Sequence, residues 1–317
     1  MNLDPYPTLK KSLIALRGYV GQFDKEEVTT DKHDLWSTKK LIALRYYIYP
    51  YLQIMRKYKF KKLHYVDLFA GSGLLRIKGK VMPGTSLIPL LRTKELYEKN
   101  KAYFFDEYHL SDINQKYVDV LKSRILKLKE GLPTKITIKK GDFASVSSEI
   151  FTGKYPEFGK QKEDGYLVVL DPYGFSIEWN QLERILKSGA VDVLITFHTS
   201  NVSWNQNKEQ SKNALTKMFG GGEWVDCSNT DDFMELYCKK IRKIPTQWKP
   251  FNTKTLTVST SKGRYHLICA SRSPGAQNLF KAMQDKFDEV SNELLEDVFN
   301  VAIGKNTDMD TFFEKVN

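Results

Sequence analysis

The sequence predicts an α/β fold with a mostly parallel sheet, on the basis of three observations. Short apolar runs alternate with helical patterns from Leu63 onward, the first run leads into a glycine-rich turn, and the alternation ends in a hairpin signal. Strands that alternate with helices pair in parallel through right-handed crossovers. The predicted strands are 63–69, 108–111, 135–139, 166–170 and 191–197, and the predicted helices between them are 86–97, 115–129 and 181–187.

The segments on either side of this region have different patterns. Residues 8–22 and 36–57 predict amphipathic helices on either side of a charged loop, and Pro50 predicts a kink or break in the second helix. After the fifth strand comes a polar, helix-prone region. Two strand patterns, 255–260 and 265–270, then predict a hairpin around a Ser-Lys-Gly-Arg turn.

These patterns predict three segments. Residues 1–62 form an N-terminal helical extension, 63–275 form a Rossmann-like domain, and 276–317 form C-terminal helices. A helical insertion at about 203–250 precedes the hairpin. Five parallel strands followed by an antiparallel pair make a seven-stranded sheet, which is the order seen in class I methyltransferases.

Composition excludes several classes of protein. Hydrophobic residues make up 41% of the 317 residues and aromatic residues 13%, which is enough for a packed core. No apolar run is long enough for a transmembrane helix, and the first eleven residues contain no apolar signal core. The cysteines Cys227, Cys238 and Cys269 are widely spaced, so we expect a reducing cytoplasm, with neither a disulfide framework nor a metal site.

The charge balance indicates a polyanionic partner. Lys and Arg number 49 against 38 Asp and Glu, which gives a formal net charge of +11. Basic residues neutralise phosphates and release counterions, so we expect DNA or RNA, tRNA included, as the partner. A lysine-rich, solvated surface is the alternative. Clustering favours nucleic acid, and the clusters lie at 56–62, 122–129 and 239–243.

The strongest motif is the strand and turn from Tyr65 to Gly73, which reads Tyr-Val-Asp-Leu-Phe-Ala-Gly-Ser-Gly. Glycine permits positive φ and close approach of a ligand to the backbone. Asp67 at the strand end could accept a hydrogen bond from the ammonium of S-adenosylmethionine. The motifs of a P-loop and of a dinucleotide site are absent. The predicted cofactor turn comprises Asp67, Phe69, Ala70, Gly71 and Gly73; a tight turn without a ligand is the alternative.

Two further strands end in an acid. An acid after the second strand would bind the ribose hydroxyls, and Asp112 has this position, with Asp106 as its rival. Asp112 could instead cap the next helix. After the third strand, Asp142 can face the adenine amino group and Phe143 can lie against the ring, although Gly-Asp also occurs in ordinary turns.

The fourth strand leads into Asp171-Pro172-Tyr173-Gly174. Amino-methyltransferases that act on bases have an Asp or Asn, two prolines and an aromatic residue at this position. There the acid or amide accepts hydrogen bonds from the target amine and the aromatic ring stacks on an extruded base. The second proline is missing here, and a turn capped by Asp171 is the alternative. Several nearby side chains are expected to be structural, mainly in the core: Phe175, Trp179, Phe197, His198 and Trp204.

The order of these motifs resembles the three-Cys-motif partner (TcmP) family across about 36–283. The similar segments are Trp36-Ser37-Thr38-Lys39, Tyr65 to Gly73, Gly84-Thr85-Ser86-Leu87, Leu170 to Gly174, Phe219 to Trp224 and Tyr265 to Cys269. The Asp-Pro-Tyr-Gly loop also resembles a motif of tRNA guanine dimethyltransferases. The resemblance implies a methyltransferase-like fold, S-adenosylmethionine as cofactor, and a protein partner encoded nearby.

Three functions are consistent with these observations. The first is methyl transfer from S-adenosylmethionine to an amine of a nucleic-acid base, with Asp171, Pro172 and Tyr173 at the acceptor. The second is a methyltransferase-like module that binds nucleic acid or a protein partner without catalysis. The third is a methyltransferase for a protein or small molecule.

Overall fold

The computed structural model describes residues 6–24, 32–35, 37–152, 164–246, 249–260, 263–287 and 290–304. Trp36 and the predicted turn residues Ser261 and Lys262 lie outside these ranges. The helices are α1 (Tyr6–Val20), α2 (Ser37–Lys57), α3 (Ile88–Lys99), α4 (Gln115–Leu128), α5 (Phe143–Ile150), α6 (Trp179–Lys187), α7 (Thr199–Asn205), α8 (Glu209–Phe219), α9 (Thr230–Arg242), α10 (Pro274–Phe287) and α11 (Asn292–Ala302). Short 3₁₀ turns occupy Gly21–Phe23 and Glu223–Asp226.

The strands are β1 (Lys32–His33), β2 (Lys62–Asp67), β3 (Leu74–Ile77), β4 (Lys80–Pro83), β5 (Glu107–Asp112), β6 (Lys135–Lys140), β7 (Asp164–Leu170), β8 (Ala190–Phe197), β9 (Asn252–Thr260) and β10 (Gly263–Ser271). Seven of them form the main sheet, in the order β6-β5-β2-β7-β8-β10-β9. Neighbours from β6 to β8 are parallel, and β10 is antiparallel to both β8 and β9. The fold class expected from the sequence is confirmed.

Helices cover both faces of the main sheet, because its central strands are apolar on both sides. Along β2, Leu63 and Tyr65 belong to one core cluster, while Val66 belongs to the other. The first cluster includes buried side chains of α2, α3 and α10, and the second includes those of α6, α8 and α9. The carboxyl ends of the five parallel strands therefore form one edge, at which ligands of α/β proteins bind.

Helix α2 belongs to one of these covering layers. It runs from Ser37 to Lys57 as a single helix with Pro50 inside it, so the expected break at this proline does not occur. Its first turn is enclosed, since Ser37, Thr38, Lys39 and Lys40 are all buried. The amino end of α2 therefore brings two lysines into the interior of the protein.

The segment between β2 and α3 contains a hairpin that is absent from the strands predicted from the sequence. Strands β3 and β4 pair in antiparallel register, and β1 adds a parallel strand to β3. Lys78 and Gly79 at the tip both have positive φ, as a two-residue hairpin turn requires. The backbone N–H of Gly84 then donates to the carbonyl of Gly73 at 2.8 Å, which returns the chain to the glycine turn.

A helical insertion separates β8 from the closing hairpin, as predicted. Helices α7, α8 and α9 occupy this segment, and the ring of Tyr237 on α9 stacks on Phe197 at the end of β8 with centroids 4.6 Å apart. None of the helices in the described part of the chain is both long and apolar enough to cross a membrane.

Candidate active site

The glycine turn follows β2 at the ligand-binding edge of the sheet. Gly71 and Gly73 have φ of +55° and +84°, which a residue with a Cβ rarely adopts. A Cβ on Gly73 would lie 2.7 Å from Leu121 Cδ1, so this glycine also permits close packing against α4. A Cβ on Gly71 would meet no heavy atom within 4 Å. The backbone at Gly71 therefore borders open space.

Asp67 lies inside the turn and its exposed fraction is 0%. One carboxylate oxygen accepts the backbone N–H of Phe69 at 3.0 Å, and the other accepts the hydroxyl of Thr85 at 2.7 Å. Burial raises the pKa of Asp67 to about 7, although these two hydrogen bonds oppose the rise. In this conformation Asp67 organises the turn, and direct contact with a ligand ammonium would require the turn to open.

The segment after the β3–β4 hairpin forms hydrogen bonds that stabilise the glycine turn. The hydroxyl of Tyr65 donates to the carbonyl of Thr85, and the hydroxyl of Ser86 donates to the carbonyl of Ala70, each at 2.8 Å. Arg124 on α4 donates to the carbonyl of Ser72 at 2.6 Å. Thr85 and Ser86 lie within a segment quoted for the family resemblance, although the sequence pattern did not assign these contacts.

Asp112 and its rival Asp106 lie at opposite ends of strand β5. Asp112 ends β5, and its carboxylate accepts the N–H of Gly71 at 3.0 Å and that of Asn114 at 2.8 Å. Asp106 precedes β5 and is ion-paired with Arg56 at 2.9 Å. Asp112 is thus the acid beside the glycine turn, and the cap of α4 is Asn114 rather than Asp112.

Asp142 and Phe143 follow strand β6, which lies next to β5 in the sheet. The carboxylate of Asp142 accepts the N–H of Ser145 at 2.8 Å and caps α5. This backbone hydrogen bond lowers the pKa of Asp142. The ring of Phe143 stacks on Phe69 with centroids 5.5 Å apart. Phe143 is buried and Phe69 is half-buried, and both pack in the second core cluster.

The Asp171-Pro172-Tyr173 loop leaves β7 next to the glycine turn, since β7 pairs directly with β2. Nζ of Lys40, on the first turn of α2, lies 2.5 Å from Oδ2 of Asp171. Burial alone would raise the pKa of Asp171, but the charge of Lys40 and hydrogen bonds from Lys40 and Thr196 outweigh it and lower the pKa. Asp171 is therefore a paired carboxylate.

Sequence reasoning missed Lys40. The apolar face predicted for this helix contains Leu44 and Ile48, and Lys40 continues it one turn toward the amino end. A lysine on a buried stripe is the signal that could have identified it. Its partner, Asp171, is 131 positions away in the chain, and only the folded sheet brings the two together.

Aromatic side chains surround this loop to different extents. The side chain of Tyr173 is 93% exposed and Pro172 is buried. Trp204 on α7 is 61% exposed, so the expectation that it belongs to the core is wrong; Trp179 and Phe197 are buried as expected. Burial lowers the pKa of His198, which follows β8, although the charge of Asp171 opposes the change. His198 is therefore neutral at neutral pH.

A separate cluster lies toward the amino ends of β2 and β5. His64, Glu107 and His109 have the ligand types of a metal site. Nδ1 of His64 and Nε2 of His109 are 3.1 Å apart, a hydrogen-bond distance, and Lys62 is ion-paired with Glu107 at 2.8 Å. The cysteines Cys227, Cys238 and Cys269 are free thiols in the structure.

Comparison with known proteins gives solved structures of low sequence identity and low TM-score. No protein-family model and no curated protein matches the chain. The plantazolicin methyltransferase BpumL in complex with SAH is 11% identical, with 84% of this chain and 96% of that chain covered and a TM-score of 0.36. The chain has a Rossmann-like methyltransferase fold. That assignment follows from its strand order, in which an antiparallel strand lies between the parallel strands and the edge.

Two further solved structures give similar values. The O-methyltransferase from Bacillus cereus in complex with SAH is 13% identical, with 83% of this chain and 100% of that chain covered and a TM-score of 0.37. TrmK from M. capricolum in complex with S-adenosyl-homocysteine is 12% identical, with 70% of this chain and 68% of that chain covered and a TM-score of 0.32. Similarity at this level gives no information on reaction or substrate.

The raised pKa of Asp67 predicts a pH dependence of stability. Between about pH 4 and pH 7 the folded state retains a proton that the unfolded state has released, so the free energy of unfolding falls as pH rises through this window. Asp67→Asn has no charge to desolvate, so its unfolding free energy should fall less between pH 5 and pH 8 than that of the native protein. Urea titrations at several pH values measure both slopes.

Asp142→Asn is the control. The pKa of Asp142 is lowered, so its contribution to stability is constant above pH 5 and the slope should not change. If Asp67→Asn kept the native slope, Asp67 would be ionised in the folded protein throughout this range.

Proposed function

We propose that the protein is an S-adenosylmethionine-dependent methyltransferase that acts on an amine of a nucleic-acid base. The observation that carries the proposal is the arrangement at two paired strands. The end of β2 presents a glycine turn that borders open space, and the end of β7 presents a paired carboxylate followed by an exposed aromatic ring. The glycine turn is suited to binding the cofactor, and the carboxylate with the aromatic ring is suited to binding an aromatic amine.

The residues at the ends of β2, β5 and β6 fit the cofactor. The open space at Gly71 allows a ligand to approach the backbone closely. Each oxygen of Asp112 accepts one hydrogen bond and retains a lone pair that can accept a ribose hydroxyl. We assign the adenine to the half-buried ring of Phe69, which the buried Phe143 supports from the core, with the exposed Asp142 next to Phe143 in the chain. We assign Asp67 the role of holding the turn.

The first prediction of the proposal is that a side chain at Gly71 blocks the cofactor without unfolding the protein. Gly71→Leu should reduce S-adenosylmethionine affinity at least about tenfold, because the new side chain enters the open space. Gly79→Leu is the matched control, since Gly79 also has positive φ and open surroundings but lies in the β3–β4 hairpin. Calorimetric titration of both variants measures the difference, and equal affinities would contradict the assigned cofactor site.

The acceptor site is assigned to the loop after β7. The cofactor supplies an electrophilic methyl group when bound. Asp171 would accept a hydrogen bond from the amine and orient its nitrogen, which needs no strong base before attack. Tyr173 would stack on the base, and the exposed Trp204 after the neighbouring strand β8 offers a second ring. A Cβ on Gly263 would lie 3.1 Å from Trp204, so the start of β10 leaves room for this ring.

Asp171 and Tyr173 should have separable effects on methyl transfer. Asp171→Ala should abolish transfer and preserve cofactor affinity, because Asp171 is assigned a contact with the acceptor and none with the cofactor. The change also leaves Lys40 without its ion pair, so thermal unfolding checks that the variant folds. Tyr173→Ala should weaken acceptor binding by about 1–3 kcal/mol, and Tyr173→Phe, which keeps the stacking surface, should have little effect. The assay is transfer of labelled methyl groups to total tRNA and to genomic DNA. Full activity of Asp171→Ala would exclude this acceptor site.

The positive charge supports nucleic acid as the class of substrate. The net charge is +11, and exposed lysines lie on several parts of the surface, including Lys57, Lys59 and Lys61 before β2 and Lys116 and Lys122 on α4. Such charges bind the phosphate backbone without reading its sequence. We therefore expect general affinity for DNA and RNA, with the base selected at the Asp171 loop.

Salt should weaken this affinity steeply. Each phosphate neutralised by Lys or Arg releases counterions, so binding to duplex DNA or tRNA should weaken at least about tenfold between 50 and 200 mM salt. Fluorescence anisotropy at several salt concentrations measures the slope, with an uncharged polymer as control. A flat response would favour a protein or small-molecule acceptor.

We also propose that the chain belongs with the TcmP proteins and has a protein partner encoded nearby, since the motif order of that family is present. The alternative is a module that binds nucleic acid without catalysis, which the missing second proline after Pro172 favours. The methyl-transfer assay separates the two functions, because a binding module retains salt-dependent affinity and transfers no methyl group.

A further inference from the structure

Lys40 occupies a position that is unfavourable for a lysine. It is 7% exposed, and it lies in the first turn of α2. Burial of an ammonium is costly, and the positive end of the helix dipole repels it there. A compensating interaction is therefore needed, and the carboxylate of Asp171 at 2.5 Å provides it.

Among the described groups around Asp171, Lys40 has the largest effect in lowering the pKa of this carboxyl group. Thr196 on β8 donates a hydrogen bond, and the charge of His198 after β8 adds a smaller effect in the same direction, although burial lowers the pKa of His198 itself. Asp67 on β2 adds a carboxyl group, and burial, with a smaller effect from the charge of Asp171, raises the pKa of the phenols of Tyr65 and Tyr265. In the described part of the chain, Lys40 is thus the cation that forms an ion pair with this carboxylate.

We propose that Lys40 is a positioning residue that keeps Asp171 ionised and holds one of its oxygens, leaving the other oxygen for the acceptor amine. The part that concerns the amine rests on the proposed function. The part that concerns ionisation depends only on the ion pair between α2 and the loop after β7.

This arrangement determines what Asp171 can do in methyl transfer. The lone pair of the amine nitrogen forms the new nitrogen–carbon bond, and the carbon–sulfur bond of the cofactor breaks with its electrons remaining on sulfur. The surplus proton then leaves the nitrogen for the carboxylate and passes to water. A protonated Asp171 would instead donate its O–H to the nitrogen and occupy the lone pair that must attack. Loss of Lys40 should therefore make transfer sensitive to acid.

The first test follows the carboxyl group of Asp171 itself, by ¹³C NMR with labelled aspartate and Asp171→Asn for assignment. In the native protein its pKa should lie below the ordinary value, and in Lys40→Met it should lie above, because burial remains without the cation. Lys40→Arg should restore the low value. Arg45→Met is the matched control, since it removes a similarly buried cation from α2 that pairs with Glu95 at 2.8 Å. Equal titration of Asp171 in Lys40→Met and the native protein would overturn the proposal.

The second test is the pH dependence of methyl transfer from pH 5.5 to pH 8. Lys40→Met should lose about tenfold in rate per pH unit below the raised pKa of Asp171, and the native protein and Arg45→Met should not. Adding Asp171→Asn to Lys40→Met should remove this acid limb, because an amide does not titrate. An acid limb that persists in the double variant would show that Lys40 acts through another group.

The two tests separate failure of this inference from failure of the proposed function. If the native protein transfers no methyl group to any nucleic acid, the proposed function fails, and the NMR titration still decides whether Lys40 sets the ionisation of Asp171. Thermal unfolding of each variant identifies any that does not fold. If Lys40→Met does not fold, Lys40→Arg, which retains the positive charge, is compared with the native protein instead.

Discussion

The buried hydrogen bond from the hydroxyl of Thr85 to the carboxylate of Asp67 connects the two segments that form the glycine turn at the carboxyl edge of the sheet. Asp67 ends the first strand of the parallel sheet, and Thr85 follows a hairpin inserted after that strand. The neighbouring bonds from Ser86 and Gly84 reinforce the same connection. The β3–β4 hairpin begins and ends next to the glycine turn, so these hydrogen bonds hold the turn in one conformation. The space beside the backbone of Gly71 remains open.

Two carboxyl groups at adjacent strand ends, the buried Asp67 and the half-buried Asp171, have pKa values shifted in opposite directions. Burial raises the pKa of Asp67 to about 7, whereas the charge and hydrogen bond of Lys40 lower that of Asp171. The difference arises from the partners: Asp67 has a neutral hydroxyl and a backbone amide, and Asp171 has an ammonium. Environments that separate the pKa values of neighbouring acids are typical of sites where the two have different tasks. Here Asp67 accepts hydrogen bonds from the turn, and Asp171 forms an ion pair with Lys40.

The helices outside the sheet contribute to the site as well as to the core. Helix α2 brings Lys40 to the loop after β7, and α7 presents Trp204 beside the strand next to it. Tyr173 follows β7 and Trp204 lies on α7 after β8, and both side chains are exposed. These two rings are the reason that we propose an aromatic acceptor at this side of the sheet.

The sequence by itself determined the seven strands of the main sheet, the parallel pairing of five of them and the two loops that define the candidate site. These features follow from local patterns, because a short apolar run between turn signals, such as Leu167 to Leu170, favours a buried strand and because Gly71 and Gly73 permit a turn that other residues resist. The sequence also favoured Asp112 over Asp106, because Asp112 lies at the end of a predicted strand. The tertiary structure alone decided that Trp204 is exposed and that Lys40 meets Asp171. Each of these depends on which ends of distant strands and helices meet, and no local spacing in the chain encodes a contact that forms only when the whole sheet has assembled.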